Sequence, residues 1–379
     1  MNHKSYAVKV TLLLLCLFQG HTFLFSVNPY YADPNPPATI PGMELVWSDE
    51  FNTDGKPNPA YWKYETGFVR NEELQWYQAD NANVKDSLLV ITGRRDTILN
   101  PNYVAGSSDW RKSRKYAYYS SSCIKTPNLV GYQFGRIEVR ARIDTTMGAW
   151  PAIWTLGETG EWPSCGEVDI MEFYRVNGIQ TVLANVAWGT ATRWEAHWNS
   201  IRTPLSHFLN KDPDWPKKFH IWRMDWNKDS INLYLDNELL NTTLLKNTIN
   251  GITPPVNPFL QKHYFLLNLA LGGNGGDPSR SIFPITFEVD YIRVYQKIIT
   301  QSDEVIHPEL NVNIQGVNVK IPQTKFPVNI NIFNSIGQLV YSSKLYSANQ
   351  TIPLGRLPKG VTFVNLFNKS FNLTKKIIL

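Results

Sequence analysis

Glu167-Val168-Asp169-Ile170-Met171-Glu172-Phe173-Tyr174 alternates polar and apolar side chains with a period of two that slips once, between Asp169 and Glu172. On a regular strand alternate residues share a face, so Glu167 and Asp169 point one way and Met171 is next in line. Glu172 falls out of phase. It can rejoin the other two carboxylates only if one extra residue is inserted locally, as in a β-bulge, a device that re-aims a side chain beside an active site. The same alternation recurs between turn signals in SLLVITGRR (87–95), GRIEVRARI (135–143), INLYLDNELL (231–240), HYFLLNLAL (263–271) and FEVDYIRVYQ (287–296). These runs predict strands, and long helical patterns are nearly absent. The 379-residue chain therefore reads as all-β, a sandwich or barrel with appendages.

Composition limits what such a fold can do. Hydrophobic residues make up 43% and charged residues 18%, which excludes a disordered or many-times membrane-spanning chain. The formal net charge of +5 is unevenly spread. Residues 27–299 carry 27 basic against 29 acidic side chains, and the excess of cations lies in the first 26 and last 80 residues. A slightly acidic body lacks the clustered cations that binding to nucleic-acid phosphates requires, so no nucleic acid is expected.

Residues 1–26 read as a secretory signal peptide, with Lys4 before an apolar run at Val10–Phe18 that is too short to span a bilayer. The expected location is secreted or cell-surface. Residues 27–42 (VNPYYADPNPPATIPG) are Pro-rich and read as an extended linker, so the body is expected to run over 43–297. All 13 tryptophans fall between Trp47 and Trp226. Their absence downstream, together with short Val-, Ile- and Asn-rich β runs, marks residues 298–379 as a second, smaller β-sandwich-like module. Cys123 and Cys165 remain once the leader is gone; a disulfide and two buried thiols are both compatible with the sequence.

If the bulge forms, three carboxylates crowd one face. Like charges that close raise at least one pKa, so that one group keeps its proton near neutral pH while another stays ionised. Glycoside hydrolysis requires this division of labour, with one carboxyl group protonating the leaving oxygen and another attacking the anomeric carbon. The plain alternative is a solvated strand face. Against it, neighbouring acids on one face repel, and the segment is surrounded by Trp150, Trp154, Trp162, Trp188, Trp194 and Trp198. Indole rings offer flat apolar faces with a polar edge, which suits stacking on sugars. His197, His207, His220 and His263 lack metal-ligand spacing, and no nucleophile elbow of the form G-x-S-x-G is present.

The stretch from Leu45 to Gln296 resembles glycoside hydrolase family 16 in its laminarinase-like, endo-β-1,3-glucanase branch. Seven blocks match in order: LVWSDEF, NEELQWY, YQFGRIEVRARI, GAWPAIWTLG, WPSCGEVDIMEF, FHIWRMDW, and YFLLNLALGGNGG followed by FEVDYIRVYQ. The resemblance implies a concanavalin-like jelly-roll β-sandwich with a concave sugar cleft, and a retaining reaction. It implies Glu167 as nucleophile, Glu172 as general acid/base and Asp169 as the residue that modulates their protonation. Trp150, Trp154 and Trp162 are implied to stack on sugar, with Asn71 as a hydrogen-bonding partner. No cofactor is required; Asp290 matches a position that ligates a structural calcium in relatives, beside its plain reading as a hydrogen-bonded strand-end Asp. One departure is Ala187, where many relatives carry His. The C-terminal module resembles, more loosely, type IX secretion sorting domains, which implies bacterial secretion machinery as a partner. The expected enzyme is thus a secreted, monomeric endo-glycosidase acting on β-glucan. Its alternatives are an agarase- or carrageenase-type galactanase and a non-catalytic, lectin-like glycan binder.

Overall fold

A computed structural model describes residues 27–298 except 128, 253 and 254, and in the C-terminal part residues 309–313, 316–320, 327–347, 349–353, 359–368 and 372–378. The predicted leader, with Cys16, lies outside the described residues. The chain divides into two units, one holding residues 27–39 and 45–296, the other 40–44 and 297–379.

The strands of the first part, in chain order, are β1 (Met43–Asp49), β2 (Lys63–Tyr64), β3 (Gln75–Tyr77), β4 (Ala82–Lys85), β5 (Leu88–Leu99), β6 (Tyr116–Ser121), β7 (Cys123–Lys125), β8 (Gly131–Tyr132), β9 (Gly135–Ile143), β10 (Ala149–Gly157), β11 (Glu167–Val176), β12 (Ile179–Gly189), β13 (Ala196–Pro204), β14 (His220–Trp226), β15 (Ser230–Leu235), β16 (Glu238–Leu244), β17 (His263–Leu271) and β18 (Ile285–Lys297). They form two sheets. The front sheet runs β13-β12-β11-β10-β17-β7-β2, and the back sheet runs β16-β15-β14-β9-β18-β5-β6-β3. Hairpin runs (β10 to β13, β14 to β16) alternate with neighbours distant in sequence, such as β10-β17, β14-β9 and β18-β5, as in a jelly roll.

Alternation explains the layering. One face of each front strand supplies core residues, among them Ile153, Val168, Phe173, Val182 and Val186, which pack against Ile137, Val139, Trp222, Met224 and Ile292 of the back sheet. The opposite face of the front strands is left for other work, and β11 with its neighbours lies at the centre of that sheet.

The reading of residues 27–42 as a linker needs correction, because residues 28–35 are tied down on the back sheet. Phe219 N donates to Pro29 O (2.6 Å), and Arg140 donates to the carbonyls of Tyr31 (2.8 Å) and Asn28 (3.0 Å). Proline removes N–H donors but leaves every carbonyl as an acceptor, so a Pro-rich segment can still be held by arginines. Asp290 also departs from its calcium reading. Its Oδ2 pairs with Arg140 (2.6 Å), both side chains buried, and accepts from Asp33 N (3.1 Å). The guanidinium supplies the positive charge, and the residues there do not fit a cation. Cys123 and Cys165 are free and buried.

The second unit builds two smaller sheets from β19 (Glu309–Asn313), β20 (Gly316–Lys320), β21 (Val328–Phe333), β22 (Leu339–Leu345), β23 (Asn349–Pro353), β24 (Val361–Phe367) and β25 (Asn372–Ile378), ordered β19-β20-β23 and β22-β21-β24-β25. Val317 and Ile352 of one sheet share a core with Ile330, Val364 and Leu366 of the other.

Breaking a buried ion pair strands an unpaired charge and costs about 3–5 kcal/mol. Arg140→Met is therefore expected to lower the melting temperature of the first unit by roughly 10 °C. Adding Asp290→Leu should recover part of the loss; a single variant melting like the parent in calorimetry would show that the pair contributes nothing.

Candidate active site

The predicted slip in β11 is present. Against β12, Asp169 pairs with Asn185 and Glu172 pairs with Leu183, so two residues of β11 oppose one of β12; against β10, Asp169 faces Trp154 and Met171 faces Ile153. Ile170 and Met171 both turn into the core, each fully buried. The core takes two consecutive apolar side chains, and Glu172 is thereby turned to the same face as Glu167 and Asp169.

Each carboxylate has its own partners. Trp162 Nε1 donates to Glu167 Oε2 (2.8 Å). Trp150 Nε1 donates to Glu172 Oε1 (2.9 Å), and Asn185 Nδ2 donates to both Glu172 Oε2 and Asp169 Oδ2 (3.0 Å each). Both oxygens of Glu172 are thus engaged by indole and amide donors. Glu167 accepts from an indole at one oxygen only.

All three acids are harder to ionise than usual. Burial, then the charge of Glu172, pushes Glu167 up to about 7. Asp169 is pushed well above the carboxylate range by burial and by the charges of Glu172 and Glu167. Glu172 is raised by burial, and the hydrogen bonds from Trp150, Asp169 and Asn185 hold it back. The protons belong to the trio as a coupled set. A protonated Asp169 between two glutamates relieves the repulsion that would otherwise separate them.

The tryptophans expected to stack prove to be divided in their tasks. Trp150 is 8% exposed and packs edge-on against Tyr174, with its N–H on Glu172. Trp162 is 37% exposed, so its ring is open to a ligand while its N–H holds Glu167. Trp154 is half-buried beneath the Arg70 guanidinium and donates to Asn268 Oδ1 (2.7 Å). Asn71 is exposed, in a left-handed conformation (φ 55°), and donates to Glu73 Oε1 (3.3 Å).

Several residues here escaped the sequence reading. Asn185 carries the bridge between two carboxylates; its parity with Ala187, which pairs with Glu167, is the signal that places it on this face. Arg70, held by Glu65 and lying over Tyr77 and Trp154, carried no such signal. Asn268 links Trp154 to Tyr77, whose hydroxyl accepts from its Nδ2 (3.2 Å). The Gly-rich turn after β17 has a steric reason. Gly273 has φ +53°, and a side chain there would begin 3.3 Å from the ring of Trp150, the residue that holds Glu172.

A two-sheet jelly roll with coupled carboxylates and tryptophans on the free face of its central strands has the layout of a glycoside hydrolase. Residues 71–263 match the family of glycosyl hydrolases 16, and residues 309–379 match the secretion system C-terminal sorting domain. The chain is 31% identical over 285 residues to a glucan endo-1,3-beta-glucosidase A1 from Niallia circulans, covering 70% of this chain but only 39% of that protein. Among solved structures, the laminarinase catalytic domain from Thermotoga maritima is 29% identical with a TM-score of 0.54, over 68% of this chain and 99% of that one. A structure from work on endo-acting O-glycanases that initiate mucin breakdown in the human gut microbiota is 32% identical with a TM-score of 0.63, over 69% and 94%. The chain belongs to glycosyl hydrolase family 16 and carries a C-terminal secretion sorting domain.

The two indole donors predict separable effects. An N–H bonded to a carboxylate favours its ionised form, so removing the donor raises the pKa of that acid. Trp162→Phe is expected to move the Glu167 titration upward by roughly one pH unit, and Trp150→Phe to do the same for Glu172. Carbon-13 NMR titration of the carboxyl resonances checks both; a downward movement in either variant would contradict these hydrogen bonds.

Proposed function

We propose that the protein is a secreted endo-glycosidase that hydrolyses β-1,3-glucan by double displacement. The observation that carries the reading is the asymmetry between the two glutamates. Glu167 has one oxygen held by Trp162 and accepts no indole or amide hydrogen bond at the other, as a nucleophile needs. Glu172, on the same face through the bulge, is held at both oxygens by Trp150 and Asn185, as a group that must deliver a proton along a fixed line needs.

In this mechanism Glu172 donates its proton to the glycosidic oxygen while Glu167 attacks the anomeric carbon, giving a covalent glycosyl-enzyme. Glu172, now ionised, takes a proton from water as that water attacks, and the second inversion restores the original configuration. Asp169 holds its proton between them and limits the charge of the trio in each state. The exposed indole of Trp162 is a stacking surface for sugar beside the nucleophile. No step calls for a metal or an organic cofactor. The substrate is read from the relatives: the Niallia protein is a glucan endo-1,3-beta-glucosidase and the Thermotoga domain a laminarinase. The C-terminal sorting domain supports export through bacterial secretion machinery. A second reading, a mucin-type glycan, draws on the likeness to the O-glycanase structure.

Reducing-end release from laminarin, lichenan, agarose and mucin O-glycans separates these readings. Laminarin is expected to be cut fastest, with the anomeric configuration of the first product retained by proton NMR. Glu167→Gln should lose activity by more than roughly 10³-fold while still binding substrate, since only the covalent step is removed. Inverted product, or an active variant, would refute the mechanism.

A further inference from the structure

The strand at the edge of the front sheet presents side chains that the reaction above does not use. Register sets β13 against the catalytic trio in three lateral rows. Glu167 pairs with Ala187 and Ala187 with Trp198; Asp169 pairs with Asn185 and Asn185 with Ser200; Glu172 pairs with Leu183 and Leu183 with Arg202. Paired residues of adjacent strands share a face, so Trp198, Ser200 and Arg202 stand on the same side as the carboxylates. Each lies two strands away, which at the usual strand spacing is about 10 Å. That distance is on the scale of two sugar residues of a chain crossing the strands.

The three side chains have contrasting exposure and chemistry. Ser200 is small and half-buried, whereas Trp198 is 47% exposed and Arg202 is exposed. A half-exposed tryptophan on a polar edge strand, with no core to cover it, offers a ring face to a ligand. Arg202 takes no part in the ion pairs of the described residues, although Glu172 lies in its own row and Asp169 in the next. Its charge is felt at Tyr174, the half-buried residue two positions beyond Glu172 on the same face; burial and Glu172 push that hydroxyl up to about 12, and Arg202 pulls against them. A guanidinium and a phenol hydroxyl, both donors, therefore stand beside the trio with no carboxylate spent on them.

We infer that β13 forms a further subsite, floored by Ser200, in which Trp198 stacks on a sugar and Arg202 receives an acidic substituent of that sugar, either a sulfate ester or a carboxylate. The planar guanidinium fork matches those two groups bidentately, which a neutral hydroxyl does not exploit. The cation also solves a problem the trio creates. Ionised glutamates repel an acidic chain approaching the cleft, and a fixed positive charge on the path offsets that repulsion. The inference rests on the reading of the trio as a glycosidase site and names the class of substrate it takes: a β-linked glycan with acidic substituents near the cleavage point.

The test uses the full chain carrying Glu167→Gln, so that binding is read without turnover. Neutral laminarin, partially sulfated laminarin and partially carboxylated laminarin are titrated by calorimetry. The expected result is tighter binding of an acidic glucan than of the neutral one, with the acidic-to-neutral affinity ratio falling about tenfold in Arg202→Ala and partly restored in Arg202→Lys. Trp198→Ala should weaken all three ligands together. A preference for one acidic ligand alone identifies sulfate or carboxylate as the substituent. A ratio unchanged by Arg202→Ala, or neutral laminarin bound best by the parent, overturns the inference. Parent enzyme that cuts no glucan, together with an Arg202-dependent preference for acid, would sink the glucan reading and leave this subsite standing.

Discussion

Everything at this site depends on placing three carboxyl groups side by side in a folded protein, which electrostatics opposes. A regular β11 would not do it. The period of two would carry Glu172 into the core, where an unpaired acid costs several kcal/mol. The chain escapes by turning Ile170 and Met171 inward together, so that hydrophobic burial of two adjacent side chains drives the local distortion. The repulsion that remains is met mainly by donors, two indoles and the Asn185 amide, together with the raised pKa of Asp169 and a smaller pull of the Arg70 charge on Glu167. A lysine or arginine in the same places would lower all three pKa values and remove the acid that the reaction needs.

The scaffold serves that arrangement at several removes. Trp150 is fixed by Tyr174 on one side and by the space that Gly273 leaves on the other, and it in turn fixes Glu172. Trp154 is fixed through Asn268 and Tyr77, a buried chain that ends on Glu73. Geometry of this kind, in which each functional group is oriented by a neighbour that is itself oriented, is how a cleft holds reactive groups without spending binding energy on ordering them.

Much of this could be read from the sequence. The strand order of the trio, the need for a bulge, and the two-part organisation all follow from alternation and from the distribution of tryptophan. The division of labour among the tryptophans did not. A Trp reads as apolar surface, and nothing in the letters shows that the N–H of Trp150 and Trp162 will find a carboxylate. Residues 27–35 misled for a related reason. Their composition describes what they cannot donate, whereas their place in the fold depends on what Arg140 and Phe219 offer them. Asp290 looked like a cation ligand until its partner was seen to be an arginine from a strand 150 residues earlier.

That last arrangement bears on how the domain comes together. Arg140 on β9 is gripped at once by carbonyls from the beginning of the described chain and by a carboxylate from its final long strand. The back layer of the sandwich is therefore completed by β18, which lies between β9 and β5 and brings Asp290 to the arginine that also holds the amino-terminal segment.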